Sequence, residues 1–176
     1  MTSSQHALCR GFTLIELMLV ISLIAIVLTS SLPSFSALID RQRLRAAGAD
    51  VHAALLLARG EALRRDTTVA VSFAPATSLA PWCYGMNDAG PCDCRTSSNC
   101  VNTGMPARIR QGGDFPGVAL TTNFTPQQTA VFHPARGTAT PGTVRLSNNA
   151  GNLHIVVSSL GRIRICSPEG RDFPAC

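Results

Sequence analysis

The fold is decided by the stretch GFTLIELMLV, residues 11–20, which opens an apolar segment that runs to Leu32 and ends before Pro33. As a helix, residues 12–32 would extend about 31 Å, close to the thickness of a bilayer core. The run is longer than the apolar part of a secretory signal peptide, and no small-residue cleavage site precedes a mature domain. A plain membrane anchor leaves Glu16 unexplained, because a carboxylate at the centre of an apolar span costs about 2.5–3.5 kcal/mol and somewhat less near its end.

Several features of this segment resemble the prepilin signal of type IV pilins and type II secretion pseudopilins. They are Gly11 at the end of a short leader, Phe12 after it, Glu16 four residues further on, and Pro33 where the apolar run gives way to a polar helix. The resemblance implies cleavage after Gly11 by a prepilin peptidase, methylation of the new Phe12 amine, and storage in the bacterial inner membrane before assembly into a pilus fibre. It also implies that the Glu16 carboxylate pairs with the Phe12 ammonium of a neighbouring pilin in the filament, which sets the register of the bundled helices.

An amphipathic stem helix is predicted for residues 34–66, because apolar and small side chains recur there at intervals of three and four residues. These residues are Leu44, Gly48, Val51, Leu55, Ala58 and Ala62. Asp66 and Thr67 break the period, and residues 67–73 then alternate as a strand does. The junction over residues 58–66 resembles that of the FimT/FimU/GspH group of minor pilins and pseudopilins.

Short strand-like segments separated by Gly and Pro turns fill the rest of the chain. They are predicted at residues 107–111, 117–122, 129–133, 142–147, 152–158 and 162–166. The turn at residues 132–137 and the closing residues 157–164 also resemble the FimT/FimU/GspH group. Because no crossover helix separates the strands, we expect an α+β type IV pilin fold, with a long N-terminal helix packed on an antiparallel sheet of about six or seven strands.

The predicted organisation has four segments: a cleaved leader at 1–11, a transmembrane and filament-core helix at 12–33, the stem helix at 34–66, and a periplasmic β-rich domain at 67–176. A length of 176 residues with 45% apolar residues suits one modest core. Within the last segment, residues 74–106 are polar, rich in cysteine and without periodicity. We interpret them as an ordered loop held by disulfides.

Cysteine usage indicates an oxidising compartment. Cys9 leaves with the leader, and the mature chain keeps an even set: Cys83, Cys92, Cys94, Cys100, Cys166 and Cys176. A bond from Cys166 to Cys176 is favoured, because these residues bracket a short polar tail. Cys92 and Cys94 are too close in sequence to bridge comfortably, and the pairing among the first four cysteines stays open.

No catalytic, metal or small-molecule site is predicted. Zinc held by Cys92, Cys94 and Cys100 with His133 or His154 is the main metal alternative, but the spacing lacks a repeated Cys-x2-Cys pair. The histidines have no acid or nucleophile fixed beside them by sequence. The glycine-containing segment at residues 110–114 lacks the Lys and Ser or Thr of a phosphate-binding loop. We therefore expect a structural protein rather than an enzyme, with no cofactor and no small-molecule substrate.

The closing strand carries Arg162 and Arg164 at positions i and i+2, which project from one face about 7 Å apart, near the spacing of phosphates along one DNA strand. Arg108 and Arg110 repeat this spacing on an earlier strand. The chain has 15 basic residues, all arginine, against 10 acidic ones, and its aromatic content of 5% is too low for a base-stacking surface. One interpretation is a solvated face, paired with acids such as Asp114, Glu169 or Asp172.

The sequence Gly161-Arg162-Ile163-Arg164 also resembles the C-terminal motif of FimT-type minor pilins, which bind DNA during natural transformation. The resemblance implies that Arg162 and Arg164 contact DNA without sequence preference, with Gly161 in the motif and Arg171 following in the tail. Two functions stay open. The chain is either a minor pilin that helps to start type IV pilus assembly near the tip and binds DNA for uptake, or a minor pseudopilin of type II secretion. The Cys-rich loop and the basic tail favour the pilus.

Overall fold

The structure is a computed structural model that describes residues 12–88, 90–96, 100, 108–170 and 173–176, and only the backbone of residues 28–34. The chain divides into two compact units, one ending at Leu38 and the other spanning Ile39–Cys176. A single helix, α1, spans Leu14–Arg65, so the boundary predicted at residues 33 and 34 lies inside it. The helix ends at Arg65, because Asp66 adopts a left-handed conformation with φ of 54° that a right-handed helix cannot continue through.

The first unit exposes its apolar side chains. Between Leu14 and Val27 the exposed fractions include 77% for Leu14, 58% for Ile21 and 63% for Val27. A continuous apolar surface of this kind marks an interaction site for another helix or for lipid. Within the described residues, no helical stretch is both long and apolar enough to span a membrane.

The second unit combines the rest of α1 with two antiparallel sheets of four strands each. The strands are β1 Val69–Ala74, β2 Cys83–Asn87, β3 Arg108–Gln111, β4 Ala119–Thr122, β5 Thr129–Phe132, β6 Gly142–Asn148, β7 Gly151–Val157 and β8 Ile163–Cys166. Sheet A has the order β3-β2-β1-β5, and sheet B has the order β4-β6-β7-β8. The predicted α+β fold with antiparallel strands is confirmed. The prediction of a single sheet is corrected to two, because alternation locates strands but does not decide which strands pair.

One apolar core joins α1 to both sheets. The helix contributes a buried stripe made of Leu44, Ala47, Val51, Ala54, Leu55, Ala58 and Ala62. Gly48 lies beside this stripe, where a Cβ would come within 2.1 Å of Cδ2 of Leu153 on β7. The small residues let the helix lie close to sheet B, and each fully buried Leu or Val side chain contributes about 1.5–3 kcal/mol.

Strand β2 lies inside residues 74–106, which the sequence analysis assigns to a loop. All of its residues are buried. Tyr84 and Met86 face the core, and the other face is covered by the disulfides of the following segment, since a Cβ on Gly85 would come within 2.5 Å of Sγ of Cys100. A strand buried on both faces shows no polar alternation, so periodicity does not reveal it.

Three disulfides hold the second unit. They join Cys83 to Cys94, Cys92 to Cys100 and Cys166 to Cys176, with Cα separations of 5.9, 5.1 and 5.1 Å. The Cys166–Cys176 bond is the one that the sequence analysis favours, and the other four cysteines pair as Cys83–Cys94 and Cys92–Cys100. All six cysteines that the structure describes are bonded, so none of them offers a thiolate to zinc. The described residues contain no cluster of three or more metal-binding side chains.

Candidate functional site

The start of α1 presents two of the predicted assembly residues. Phe12 precedes the helix and is 83% exposed, and Glu16 lies in the first turn. Thr13 caps the helix, since its Oγ1 accepts a hydrogen bond from the Glu16 N–H at 3.3 Å, which is half of a capping box. The Glu16 carboxylate is also favoured near the positive end of the helix dipole. Gly11, the predicted cleavage position, lies outside the described residues.

The predicted DNA contacts Arg162 and Arg164 lie on the outer face of sheet B. Ile163 and Ile165 of β8 pack against the core, so the alternating arginines are turned outward and both are exposed. With the residues that the structure describes, neither guanidinium forms an ion pair. Arg171, the third predicted contact, lies outside the described residues.

Gly161 forms the turn that leads into β8. Its φ is +70°, and a Cβ there would come within 1.9 Å of the carbonyl oxygen of Gly137. Its N–H donates to the Ser158 carbonyl at 2.9 Å, and the Ser158 Oγ accepts from the Arg162 N–H at 3.1 Å. Only glycine suits this conformation and this close approach. Gly161 is buried, so its part in the motif is to position Arg162.

Arg59 of α1 reaches the same turn. Its Nε lies 3.2 Å from the position that a Cβ on Gly161 would occupy, and 3.4 Å from the equivalent position on Gly137. This Nε is buried and has no hydrogen-bond partner among the described atoms. Arg59 therefore packs beneath the motif, and a substitution there would also disturb the turn that positions Arg162.

The second arginine pair, Arg108 and Arg110 on β3, is engaged in a network with α1. The two side chains lie 3.7 and 3.5 Å from the Asp50 carboxylate, and Arg110 also lies 3.8 Å from Asp114. The Tyr84 hydroxyl donates to Asp50 as well. Burial raises the pKa of Tyr84, and the adjacent Asp50 raises it further, because a phenolate there would face a carboxylate. These contacts tie the helix to sheet A and leave no free basic face on β3.

Tyr84 provides a direct test of this network, because it is the only tyrosine in the chain. We expect the folded protein to show no tyrosinate absorbance at about pH 11, whereas the unfolded protein ionises with a pKa of about 10. Because the folded-state pKa is raised, the stabilisation is complete below about pH 10 and then falls by about 1.4 kcal/mol per pH unit. Tyr84→Phe should remove that dependence. Equal tyrosinate absorbance in the folded and unfolded protein would contradict the network.

The outer face of sheet B carries two further residues that the sequence analysis did not assign to a DNA site. Arg145 of β6 is exposed and stands opposite His154 of β7, which in turn stands opposite Cys166 of β8. The His154 Nδ1 lies 3.8 Å from Sγ of Cys176. Burial lowers the pKa of His154, the Arg145 guanidinium lowers it further, and Glu169 raises it.

An open groove of about 450 Å³ runs beside β8. Its walls include His52 of α1, Ile163, Ile165 and Pro174, together with both arginines of the motif. In the described part of the chain, β8 pairs with β7 on one side and forms the edge of sheet B on the other. The arginines are therefore accessible both from the face of the sheet and from its edge.

Comparison with known protein families gives two matches, one at the N-terminal end and one over the middle of the chain. Residues 47–161 match the family described as Type II transport protein GspH, and residues 7–32 match the prokaryotic N-terminal methylation motif. No curated protein sequence matches.

The fold is similar to the crystal structure of the type IV minor pilin FimU from Pseudomonas aeruginosa strain PAO1. The identity is 20% and the TM-score 0.51, over 71% of this chain and 89% of that chain. The minor pseudopilin EpsH from the type 2 secretion system of Vibrio cholerae aligns over 72% of this chain and 98% of that chain, with 14% identity and a TM-score of 0.48.

The two sequence matches coincide with the two parts of the predicted pilin architecture. The methylation motif covers Phe12, Glu16 and the apolar start of α1. The GspH match begins in the buried stripe of α1 at Ala47, includes β1 through β7, and ends at Gly161, the turn into β8. The chain therefore belongs to the GspH family, within the FimT/FimU/GspH group of minor pilins and pseudopilins that its sequence resembles.

Proposed function

We propose that this protein is a minor subunit of a type IV pilus that acts at or near the pilus tip, helps to start assembly and binds DNA for uptake in natural transformation. Its role is structural rather than enzymatic. The observation that carries the DNA-binding part is the outward-facing pair Arg162 and Arg164, which forms no ion pair with any described residue.

Assembly in this proposal depends on the N-terminal site. A prepilin peptidase cleaves after Gly11, the Phe12 amine is methylated, and the apolar part of α1 holds the subunit in the inner membrane. On assembly, the apolar helices of neighbouring pilins bundle, and Glu16 neutralises the Phe12 ammonium of a neighbour. The matched methylation motif and the exposed apolar side chains between Leu14 and Val27 support this part.

DNA binding in this proposal is carried by phosphate contacts and has no sequence preference. Guanidinium groups form charge-assisted hydrogen bonds with phosphate oxygens, and two of them about 7 Å apart can follow one strand. Gly161 fixes the backbone that presents Arg162, and Arg171, in the tail closed by the Cys166–Cys176 bond, adds a contact. So few contacts give a dissociation constant of about 10⁻⁴–10⁻⁶ M at physiological salt.

The double variant Arg162→Gln, Arg164→Gln tests the DNA contacts in electrophoretic shifts with the protein in non-ionic detergent. We expect it to lower the affinity for all duplex sequences alike and to reduce the slope of log affinity against log salt by about two units. Equal binding by the wild type and the double variant, or no binding by the wild type at low salt, would leave this chain an assembly subunit only.

A matched control removes two positive charges from α1, as many as the double variant removes from β8 and the turn before it. Arg43 is half-buried and Arg64 is exposed, and they pair with Asp40 and Glu61 on the same helix, so Arg43→Gln, Arg64→Gln changes the net charge equally without touching sheet B. We expect this control to bind DNA like the wild type. A loss equal to that of the motif variant would show that net charge, and not the motif, sets the affinity.

A minor pseudopilin of a type II secretion system is the second candidate, favoured by the description of the matching family as a type II transport protein. The same N-terminal site would then join a short periplasmic filament, and the basic strand would be a solvated face. Deletion of the gene separates the two. Loss of pili and of DNA uptake with intact protein secretion supports the pilus, and the reverse supports the pseudopilin.

A further inference from the structure

The outer face of sheet B carries a third outward arginine whose position indicates a wider DNA contact. We propose that duplex DNA lies across sheet B. Arg162 and Arg164 contact the phosphates of one DNA strand, and Arg145 contacts those of the other. His154, between Arg145 and the β8 arginines, is a pH-dependent contact. The inference rests on the proposed DNA binding, and it names the residue that distinguishes duplex from single-stranded DNA.

The register of the sheet places these side chains on one face. Arg145 stands opposite His154, and His154 stands opposite Cys166, across β6, β7 and β8. Directly opposed residues of antiparallel strands project to the same side, and so do residues two apart on one strand. Arg164, two residues before Cys166, therefore shares this face with Arg145 and His154.

The spacing across the sheet differs from the spacing along β8. Arg145 is two strands from β8, or about 10 Å, and is offset from Arg164 by two residues, or about 7 Å, so their Cα atoms are about 12 Å apart. That separation exceeds the step of about 7 Å between Arg162 and Arg164. It is comparable with the width of about 12 Å of the DNA major groove. The β8 pair can thus follow one backbone while Arg145 reaches the other.

The face is exposed and positively charged. Arg145, like the two β8 arginines, is exposed and forms no ion pair with a described residue. Glu169 is the acid that acts on His154, and its carboxylate accepts hydrogen bonds from the Asn152 backbone and side chain at 3.3 and 2.9 Å. Glu169 is thereby held at the Asn152 end of β7, away from the row of Arg164.

His154 adds a charge only in mildly acid solution. The groups that face it are Arg145 from β6, Glu169 after β8, Arg164 diagonally on β8, and the Cys176 sulfur. Its pKa lies below the usual 6.5, first because of burial and then because of Arg145, so it is neutral at neutral pH. A phosphate held between the arginines would favour the protonated ring, and affinity should rise as the pH falls.

The test compares a short labelled duplex with one of its single strands by fluorescence anisotropy, using the full protein in non-ionic detergent. Arg145→Gln should weaken duplex binding about fivefold and lower the salt slope by about one unit, with single-strand binding unchanged. Arg162→Gln should weaken both. Arg43→Gln, which removes an arginine of α1 that pairs with Asp40, should weaken neither.

The pH arm uses the same duplex. From about pH 7.5 to about pH 5.5, the wild type should gain more affinity than His154→Gln, which keeps His52 in the groove beside β8. An equal gain in affinity by His154→Gln would show that His154 is not part of the DNA-binding surface. If Arg145→Gln binds the duplex like the wild type, or loses affinity equally for duplex and single-stranded DNA, the inference is wrong. The proposed contacts of Arg162 and Arg164 would be unaffected by that result. Absence of binding by the wild type would instead overturn the proposed DNA function itself.

Discussion

Gly11→Val is expected to leave the protein inserted in the membrane with its leader attached, and no mature form should be detectable. The prepilin signal ends in a residue without a side chain, and the larger valine should prevent the peptidase from accepting the scissile bond. Mass spectrometry of the membrane fraction checks this. The wild type should begin at a methylated Phe12, and an N terminus at any other residue would contradict the processing scheme.

Two substitutions at Glu16 separate the role of its charge from its role in capping the helix. Glu16→Ala removes the carboxylate, whereas Glu16→Gln keeps a side chain that can complete the capping box with Thr13 but cannot neutralise an ammonium. An unpaired Phe12 ammonium among apolar helices costs about 3–5 kcal/mol. Both variants should therefore be cleaved normally and be nearly absent from sheared filaments.

Thr13→Ala is the control for these two variants, because it removes only the side-chain cap, a loss of about 1 kcal/mol. It should assemble close to the wild-type level. If Glu16→Gln assembles like the wild type while Glu16→Ala does not, the residue acts by capping α1 and the charge pairing is wrong.

Reduction of the disulfides is expected to have the second large effect. The bonds join residues 11, 8 and 10 positions apart, and chain entropy assigns about 2–3 kcal/mol to each loop of this size. Loss of Cys83–Cys94 and Cys92–Cys100 also uncovers the outer face of β2, including Gly85. The total of more than about 5 kcal/mol is comparable with the whole stability of a domain.

Thermal unfolding of oxidised and reduced protein measures this effect, and the expected result is a reduced form that is largely unfolded at room temperature. Cys166→Ala, Cys176→Ala is the matched control. It should be milder, since it removes one of the three bonds and leaves both disulfides that cover β2 in place. Reactive thiols in the oxidised mature protein, or bound zinc, would contradict the pairing.

The helix and most strands could be predicted because their burial is one-sided. The stripe from Leu44 to Ala62 has the period of a helix with one buried face, and β6 and β7 alternate because sheet B has one face on the core. Strand β2 has no such pattern, since the core covers one face and disulfides cover the other. Its polarity therefore says nothing about its conformation.

Only the local features of the candidate site could be predicted from the sequence. The i, i+2 spacing of Arg162 and Arg164 is a local pattern, and the outward placement of these residues follows from it. Arg145 also shows its exposure in sequence, between the buried Val144 and Leu146. Its position opposite His154, on the same face as Arg164, depends on strand register, and the engagement of Arg108 by Asp50 depends on helix packing. Both are long-range contacts that no local pattern encodes.

The connectivity of the Cys-rich loop bears on how the protein is made. The Cys92–Cys100 bond begins inside the loop that the Cys83–Cys94 bond closes, so the two interleave along the chain. A polypeptide that enters an oxidising compartment from its N terminus presents Cys83 and Cys92 together before Cys94 emerges, and the first bond available is a non-native one. Where that bond forms, native pairing requires thiol–disulfide exchange after synthesis. The yield of this subunit should then depend on a disulfide isomerase in its host as well as on an oxidase.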